Sequence, residues 1–264
     1  MKVYIQTDIE GVAGVVHFEN RANQTAEGAA HRRRMQQLLT DEVKAAIQGA
    51  LDAGAEEVVV NDSHGSGYNI LFEQLSGPVR IIHGRLDRQP FWLPLLDETF
   101  DALVGVGMHP RAGTAHGILP HTDWDVNGTH LSEMGMACAL AGTYGVAAVF
   151  CSGDQAVCDQ VRQLVPQIET AAVKQAFSPY TAVSHLPETA RKMIYDGVLK
   201  GLQRRSEIEP LRLPGPYEIT LLNRPGRPGW GPVRGDDFLQ TVRELLRQCG
   251  CTGEDQSLDD YKYP

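Results

Sequence analysis

The stretch EEVVVNDSHGSGYNI, residues 56–70, contains the sequence pattern that best indicates the fold class. Three consecutive valines form an apolar run without polar alternation, which is typical of a strand buried on both faces of a parallel sheet. The run then ends in Asn61, Asp62, Ser63 and His64, followed by glycines. Because ligands in open α/β sheets bind beyond the carboxyl ends of the strands, these polar residues are candidates for a functional site.

Similar apolar runs recur on both sides of this strand and alternate with helical patterns. Predicted strands cover 2–8, 57–62, 79–84, 101–108, 146–153 and 169–174. Predicted helices cover roughly 26–53, where apolar residues keep a three-four spacing, and also 133–143, 154–164 and 187–204. Alternation of this kind predicts an α/β fold with a mostly parallel sheet flanked by helices.

Two parts of the chain depart from the alternation. The pair Asn127-Gly128, within the segment 123–132, predicts a two-residue β-hairpin inserted before a helix. After about residue 205 turn residues become frequent, with one plausible strand at 217–223 and a helix at 236–248. We therefore predict a catalytic α/β domain at 1–204 and a smaller C-terminal portion at 205–264, packed on it and ending in a flexible acidic tail.

Composition excludes several classes of partner. The 264 residues carry a formal net charge of −9, which disfavours a general nucleic-acid surface. No apolar stretch approaches the roughly 20 residues that a membrane span requires, so no membrane partner is expected. The start of the chain lacks the pattern of a secretory signal. The five cysteines form no CxxC pair, and Cys138, Cys151 and Cys158, which lie in apolar surroundings, predict reduced core thiols. A cytoplasmic location is expected.

Ligand-type side chains follow several of the predicted strands. Asp8 and Glu10 follow the first strand, and residues two apart in an extended segment point to the same side. His64 and His109 follow two other strands, and Glu133 begins the helix after the hairpin. Carboxylates mixed with imidazoles suit zinc, manganese or iron. Five ligands are too many for one catalytic zinc, so they favour two metals bridged by a carboxylate, with Asp8 as the natural bridge.

A glycine-containing loop, HPRAGTAHGILPHTD at 109–123, adds two more histidines, His116 and His121. Either imidazole could carry a proton to a leaving amine near neutral pH. The chemistry of the residues alone does not choose between them.

Several motifs together resemble one known family. YIQTDIEGVAGV, VVVNDSHG, GVGMHPRAGT, LSEMGMACALAGTYGVAAVFCSGD and TAAVKQAFS occur in this order, and the chain resembles the M55 zinc D-aminopeptidases of the dipeptide-transport operon. The similarity runs from residue 1 to about 180 and continues more faintly to about 250. The resemblance implies a centre of two zinc ions, with Mn²⁺ or another divalent ion as a substitute, bound by Asp8, Glu10, His64, His109 and Glu133.

The resemblance also implies a catalytic residue, a substrate and an assembly. It favours His121 as the catalytic histidine, because His121 precedes Thr122, although the loop after His109 carries one extra residue. It implies hydrolysis of the N-terminal residue, a D-amino acid, from short peptides or aminoacyl amides. It further implies a homodecameric ring with active sites that face an inner channel.

Other functions compete with this interpretation. The enzymatic alternative is a di-metal amidase or deacylase that acts on another small amide. The non-catalytic alternative is a metal-binding assembly protein, which would need no proton-carrying histidine and would close its site to water. Nucleotide binding is disfavoured, because no GxGxxG follows the first strand and no GxxxxGK[ST] occurs.

Overall fold

The computed structural model describes residues 1–84, 91–222 and 229–250. The strands within these ranges are, in chain order, β1 (Lys2–Thr7), β2 (Glu57–Asp62), β3 (Val79–Ile82), β4 (Ala102–Met108), β5 (Asp123–Val126), β6 (Thr129–Leu131), β7 (Ala148–Asp154), β8 (Glu169–Ser178), β9 (Thr181–Ser184), β10 (Tyr217–Leu222) and β11 (Trp230–Gly235). The helices are α1 (Ala26–Asp52), α2 (Glu133–Thr143), α3 (Gln155–Leu164), α4 (Pro187–Gln203) and α5 (Phe238–Gln248).

Seven strands form the main sheet, in the order β3-β2-β1-β4-β7-β8-β9. All neighbouring pairs are parallel except β8 and β9. The central strands are apolar and almost fully buried, as their valine-rich runs predict. Helices α1 and α4 pack against each other, as do α2 and α3, and both pairs contact the sheet. The predicted α/β class and mostly parallel sheet are confirmed.

The register of β1 with its two neighbours, β2 and β4, determines where the site residues emerge. Thr7, the last residue of β1, lies opposite Asp62 of β2 on one side and Val106 of β4 on the other. The three strands therefore end at nearly the same level, and the residues that follow them emerge along one edge of the sheet.

Local sequence signals explain where the helices begin and end. The side chains of Thr25, Ser132, Asp154 and Asp237 accept backbone N–H groups at the starts of α1, α2, α3 and α5. Gly54, with φ of +94°, follows the end of α1, as expected for a residue that terminates a helix.

A second sheet of four antiparallel strands has the order β11-β10-β5-β6. The predicted hairpin provides β5 and β6, and Asn127 and Gly128 at its turn have φ values of 54° and 82°. Strands β10 and β11 come from the predicted C-terminal portion, which is thus hydrogen-bonded to the inserted hairpin. The division at 204/205 stays a prediction, and the acidic tail at 251–264 lies outside the described residues.

None of the helices in the described ranges combines the length and the apolar character needed to cross a membrane.

Candidate metal centre

All five predicted metal ligands, together with His121, meet at the carboxyl edge of the main sheet. They form two groups, in each of which the ligand atoms lie within 4.8 Å of one another. We call Asp8, Glu10 and His64 the first cluster, and His109, His121 and Glu133 the second cluster. The clusters adjoin, because Oδ2 of Asp8 lies 3.4 Å from Nε2 of His109.

The first cluster is carried by the segments that follow β1 and β2. Nε2 of His64 lies 3.2 Å from Oε1 of Glu10. One oxygen of Asp8, Oδ1, accepts the backbone N–H of Ile9 at 2.8 Å. The other oxygen of Asp8, and Oε2 of Glu10, are buried and have no hydrogen-bond partner in the described part of the chain. Buried carboxylate oxygens without a donor are costly, and a bound cation would compensate for that cost.

The second cluster joins the loop after β4 to the first residue of α2. Nε2 of His109 lies 3.5 Å from Oε1 of Glu133 and has no hydrogen-bond partner among the described residues. Nδ1 of His109 lies 2.8 Å from the carbonyl oxygen of Pro110, which can only accept a hydrogen bond. In the neutral ring the proton is therefore on Nδ1, and Nε2 presents a lone pair that suits a metal ion.

The charges of the cluster residues also fit a divalent cation. Burial, and then the negative charges of Glu10 and Glu133, raise the pKa of Asp8 well above its ordinary value. Burial opposes ionisation of Glu133, but the neighbouring imidazole of His109 lowers its pKa to about 2. Three carboxylates thus share one buried region, and positive charge between them would favour their ionised forms.

Within the first cluster, the protein's own groups form an ion pair. Burial disfavours the charged form of His64, but Glu10 outweighs this effect and raises the pKa of His64 to about 9. Burial likewise opposes ionisation of Glu10, while His64 holds its pKa well below the ordinary value. A metal ion that binds Nε2 of His64 must therefore displace a proton.

The structure distinguishes the two histidines of the 109–123 loop. The ring of His121 stacks on that of His109, with centroids 3.9 Å apart, and its Nδ1 lies 2.9 Å from the carbonyl oxygen of Leu119. Burial, and then the charge of His109, lower the pKa of His121 to about 4, so the ring is neutral at neutral pH. His116 is exposed and has a positive φ of 56°.

Further residues hold the ligands in place, and of these the sequence analysis singled out only Asp62, among the polar residues that end the second predicted strand. Asn69 places Oδ1 3.4 Å from Nδ1 of His64, and its Nδ2 donates to the carbonyl of His64 at 2.6 Å. Asp62 accepts the backbone and side-chain N–H groups of Asn69 at 2.6 and 2.7 Å. Near the second cluster, Asp154 accepts the N–H of Ile118 at 2.7 Å and thereby fixes the loop that leads to His121.

A close approach of two glycines joins the segments after β1 and β4. The N–H of Gly11 donates to the carbonyl of Gly107 at 2.8 Å. A Cβ at Gly11 would overlap the backbone of Met108, and a Cβ at Gly107 would overlap the carbonyl oxygen of Asp8. Gly107 also has φ of +72°, which L side chains rarely adopt. Both positions thus require glycine, and the backbone fixes the spacing between the clusters.

Comparisons with known proteins agree with this site. The family described as Peptidase_M55, D-aminopeptidase, matches residues 1–224. A D-aminopeptidase from Bacillus subtilis (strain 168) is 29% identical over 221 residues, which cover 81% of this chain and 78% of the relative. A solved structure of the Zn-dependent D-aminopeptidase DppA from Bacillus subtilis, described as a self-compartmentalizing protease, is 25% identical. It matches with a TM-score of 0.82 over 95% of this chain and 98% of its own.

These matches confirm the family that the motifs predicted and the class of enzyme, a metal-dependent aminopeptidase. The number of metal ions and the roles of single residues stay predictions. The match over residues 1–224 covers most of the chain, which therefore belongs to the Peptidase_M55 family of D-aminopeptidases.

Proposed function

We propose that this protein is an aminopeptidase with two zinc ions per chain, which removes an N-terminal D-amino acid from short peptides or aminoacyl amides. Asp8, Glu10 and His64 would hold one ion, and Asp8, His109 and Glu133 would hold the other. Support for zinc comes from the imidazole and carboxylate ligands and from the zinc dependence of the related DppA.

One observation carries the assignment of a metal pair. Oδ2 of Asp8 is buried, lacks a hydrogen-bond partner in the described part of the chain, and lies between the two clusters, 3.4 Å from Nε2 of His109. The partnerless Oε2 of Glu10 belongs to one cluster and the partnerless Nε2 of His109 to the other. Each cluster thus offers ligand atoms that the protein leaves without a donor or acceptor.

The protein's residues divide the work of amide hydrolysis. When bound, zinc supplies a Lewis acid that polarises the scissile carbonyl and increases the acidity of the attacking water. His121 is neutral, and Leu119 holds the proton on Nδ1, so its Nε2 can accept a proton. The same nitrogen then gives that proton to the leaving amine, and the hydroxyl of the consumed water remains on the acyl carbon.

Substrate class and metal content can be tested together. The full chain, loaded with zinc or with manganese, should hydrolyse D-aminoacyl amides faster than their L counterparts, and metal analysis should find close to two ions per chain. A preference for acyl groups without an α-amine would favour the amidase or deacylase alternative. Tight metal binding without hydrolysis of any amide would favour the non-catalytic alternative.

We also propose that the chain forms a homo-oligomer, a ring of ten subunits. Support comes from the self-compartmentalizing DppA and from apolar side chains exposed around the β8–β9 hairpin. Phe177, Val183 and Leu186 are 63%, 54% and 76% exposed.

Analytical ultracentrifugation should find an assembly, and the pair Val183→Glu and Leu186→Glu should dissociate it. Tyr68→Glu, at another exposed apolar residue, is the control. Sedimentation of the wild-type chain as a monomer would refute the proposal.

A cytoplasmic location is also proposed. It rests on the expected reduced thiols, and Cys138, Cys151 and Cys158 are buried free thiols.

A further inference from the structure

Lys174, in β8, is a buried lysine whose ammonium group contacts the segment that carries Glu10. Its side chain is almost completely buried, with 2% of the residue surface exposed. Nζ donates to the carbonyl oxygens of Glu10, Val12 and Val15 at 2.6, 2.7 and 2.6 Å. An ammonium group has three protons, so these three acceptors use its full capacity.

The segment 8–16, which we call the ligand loop, has no helix or strand of its own. Three of its carbonyl groups accept hydrogen bonds from the ammonium group of Lys174, which lies 159 to 164 residues further along the chain. On its amide side, the N–H of Ala13 donates to Oε1 of the buried Glu42 in α1 at 2.9 Å. The ligand loop is therefore held by a cation through its carbonyl groups and by a carboxyl group through an amide.

Burial of a charged lysine side chain is energetically unfavourable. Removing an ammonium group from water is unfavourable, and apolar side chains of similar volume are often neutral or stabilising in such positions. The hydrogen bonds from a cation to the three carbonyls are, however, stronger than neutral ones and fix the backbone at each point. This arrangement fits a requirement for accurate geometry in the ligand loop better than a requirement for stability alone.

We propose that Lys174 is a positioning residue that acts through the backbone of Glu10 and thereby sets the metal affinity of the first cluster. The carbonyl of Glu10 is bound directly, so the Cα of Glu10, and with it the carboxylate that faces His64, is held at a fixed place. The inference rests on the proposed function only in treating Glu10 as a metal ligand. Lys174 touches neither substrate nor metal in this role.

Zinc binding to the purified full-length apoprotein tests the proposal. Titration against a chromogenic zinc chelator should show that Lys174→Met weakens one of the two sites by about 10–100-fold, the usual cost of losing a residue that orients a ligand. Glu10→Gln should weaken the same site. Adding Lys174→Met to Glu10→Gln should then cost little more, because Lys174 acts through Glu10. Lys200→Met is the matched control, since Lys200 is exposed and pairs with Glu169 at the start of β8.

Amide hydrogen exchange provides a readout that does not depend on metal. In the apoprotein, Lys174→Met should speed exchange in residues 9–16, while α3 and the Lys200→Met variant should exchange as in the wild type. If Lys174→Met lowers thermal stability but leaves zinc affinity and exchange in the ligand loop unchanged, Lys174 is only a structural residue and the proposal is wrong. Equal and additive losses in the double variant would also overturn it.

Two further outcomes are decisive. If Lys174→Met does not fold, Lys174→Gln, which keeps two of the three donors, should fold and show a smaller loss of zinc affinity. If that variant also fails to fold, Lys174 serves the whole fold and the proposal fails. If the wild-type protein itself binds no zinc, the proposed function fails, whereas faster exchange of the ligand loop in Lys174→Met would still support the positioning role.

Discussion

The two clusters of the metal centre contain similar ligands but are held in different ways. In the first cluster, other side chains hold the ligand segments: Lys174, 164 residues from Glu10, binds the ligand loop, and the nearby Asn69 and Asp62 hold His64. In the second cluster, His109 and His121 donate to carbonyls within their own loop, at Pro110 and Leu119.

This difference indicates which substitutions each cluster tolerates. Substitutions of the supporting side chains Lys174, Asn69 and Asp62 can disturb the first cluster. The second cluster depends more on the conformation of the 109–122 loop, in which His116, Leu119 and Thr122 all have positive φ. Glu133 is fixed by its place at the start of α2, where Ser132 caps the helix. We expect metal affinity to be the sensitive property of the first cluster and proton transfer that of the second.

The largest effect is expected at Asp8, because the proposed function makes Asp8 a ligand of both metal ions. Asp8→Ala should abolish hydrolysis and reduce bound zinc at both sites, because Asp8 belongs to the first cluster and its Oδ2 lies 3.4 Å from Nε2 of His109 in the second. Metal analysis after dialysis against a weak chelator measures the loss. Asp8→Asn, which can still accept the N–H of Ile9, is the control for local folding. Retention of two tightly bound zinc ions in Asp8→Ala would contradict the bridge.

The next largest effect is expected at His121. His121→Ala should keep its zinc and lose roughly 10²–10⁴-fold in kcat, the usual contribution of general acid–base catalysis. Steady-state kinetics with metal analysis of the same sample measures both. His116→Ala is the matched control, because His116 lies in the same loop but is exposed.

Two outcomes would change the assignment of His121. Loss of one zinc ion in His121→Ala would make it a metal ligand of the second cluster, in which its ring nitrogen lies within 4.8 Å of the other ligand atoms. A near-wild-type rate in His121→Gln, together with an inactive His116→Ala, would move the proton-carrying role to His116.

A smaller effect is expected at Asn69, which orients His64. Asn69→Leu removes the acceptor for Nδ1 of His64 and should weaken zinc binding by about 10–100-fold. Chelator competition measures this affinity. Asn127→Gly is the matched control, because Asn127, at the hairpin turn, donates two bonds to the carbonyls of Pro214 and Pro216, and glycine tolerates its positive φ. Equal zinc affinity in Asn69→Leu and the wild type would show that the ligand loop alone positions the first cluster.

The smallest effect on the metal centre is expected from Glu42, which changes the pH dependence of folding stability at the ligand loop. Burial raises the pKa of Glu42 from 4.5 to about 7. The folded state thus binds this proton more tightly than the unfolded state, and the resulting stabilisation is complete below pH 4.5 and is lost as pH rises to about 7. Glu42→Gln stays neutral, so its stability relative to the wild type should rise over this window by up to roughly 3 kcal/mol, at about 1.4 kcal/mol per pKa unit.

Urea unfolding at several pH values checks this prediction, with Glu27→Gln in the first turn of the same helix as the control. A difference between Glu42→Gln and the wild type that does not change with pH would show that Glu42 is ionised in the folded protein throughout the window.

The main sheet and the convergence of ligands could be predicted from the sequence, because both follow from strand ends. Apolar runs located β1, β2, β4 and β7, and parallel strands bring their carboxyl ends to one edge. Strands β9 and β11 were not predicted. The segment 181–184 is too short to show a pattern, and 230–235, WGPVRG, contains glycine and proline. Both strands are defined by pairing with a neighbour rather than by their own sequence.

The residues that hold the ligands could not be predicted for a related reason. Lys174 lies in TAAVKQAFS, where its neighbours identify a strand but not the carbonyls 159 or more residues away. Asn69 follows glycines and looks like an ordinary turn residue, although it orients His64. His121 is an intermediate case, since family resemblance favoured it over His116 and its stacking on His109 could be seen only in three dimensions.

The contact between Gly11 and Gly107 has a consequence for how proteins of this kind can diverge. The spacing of the two clusters is set where main chain meets main chain, so it does not depend on which side chains surround the pocket. Mutations around the site can therefore change which amide is accepted while the spacing of the two clusters is preserved. During evolution, substrate preference can therefore change among related proteins while the arrangement of the two clusters stays the same.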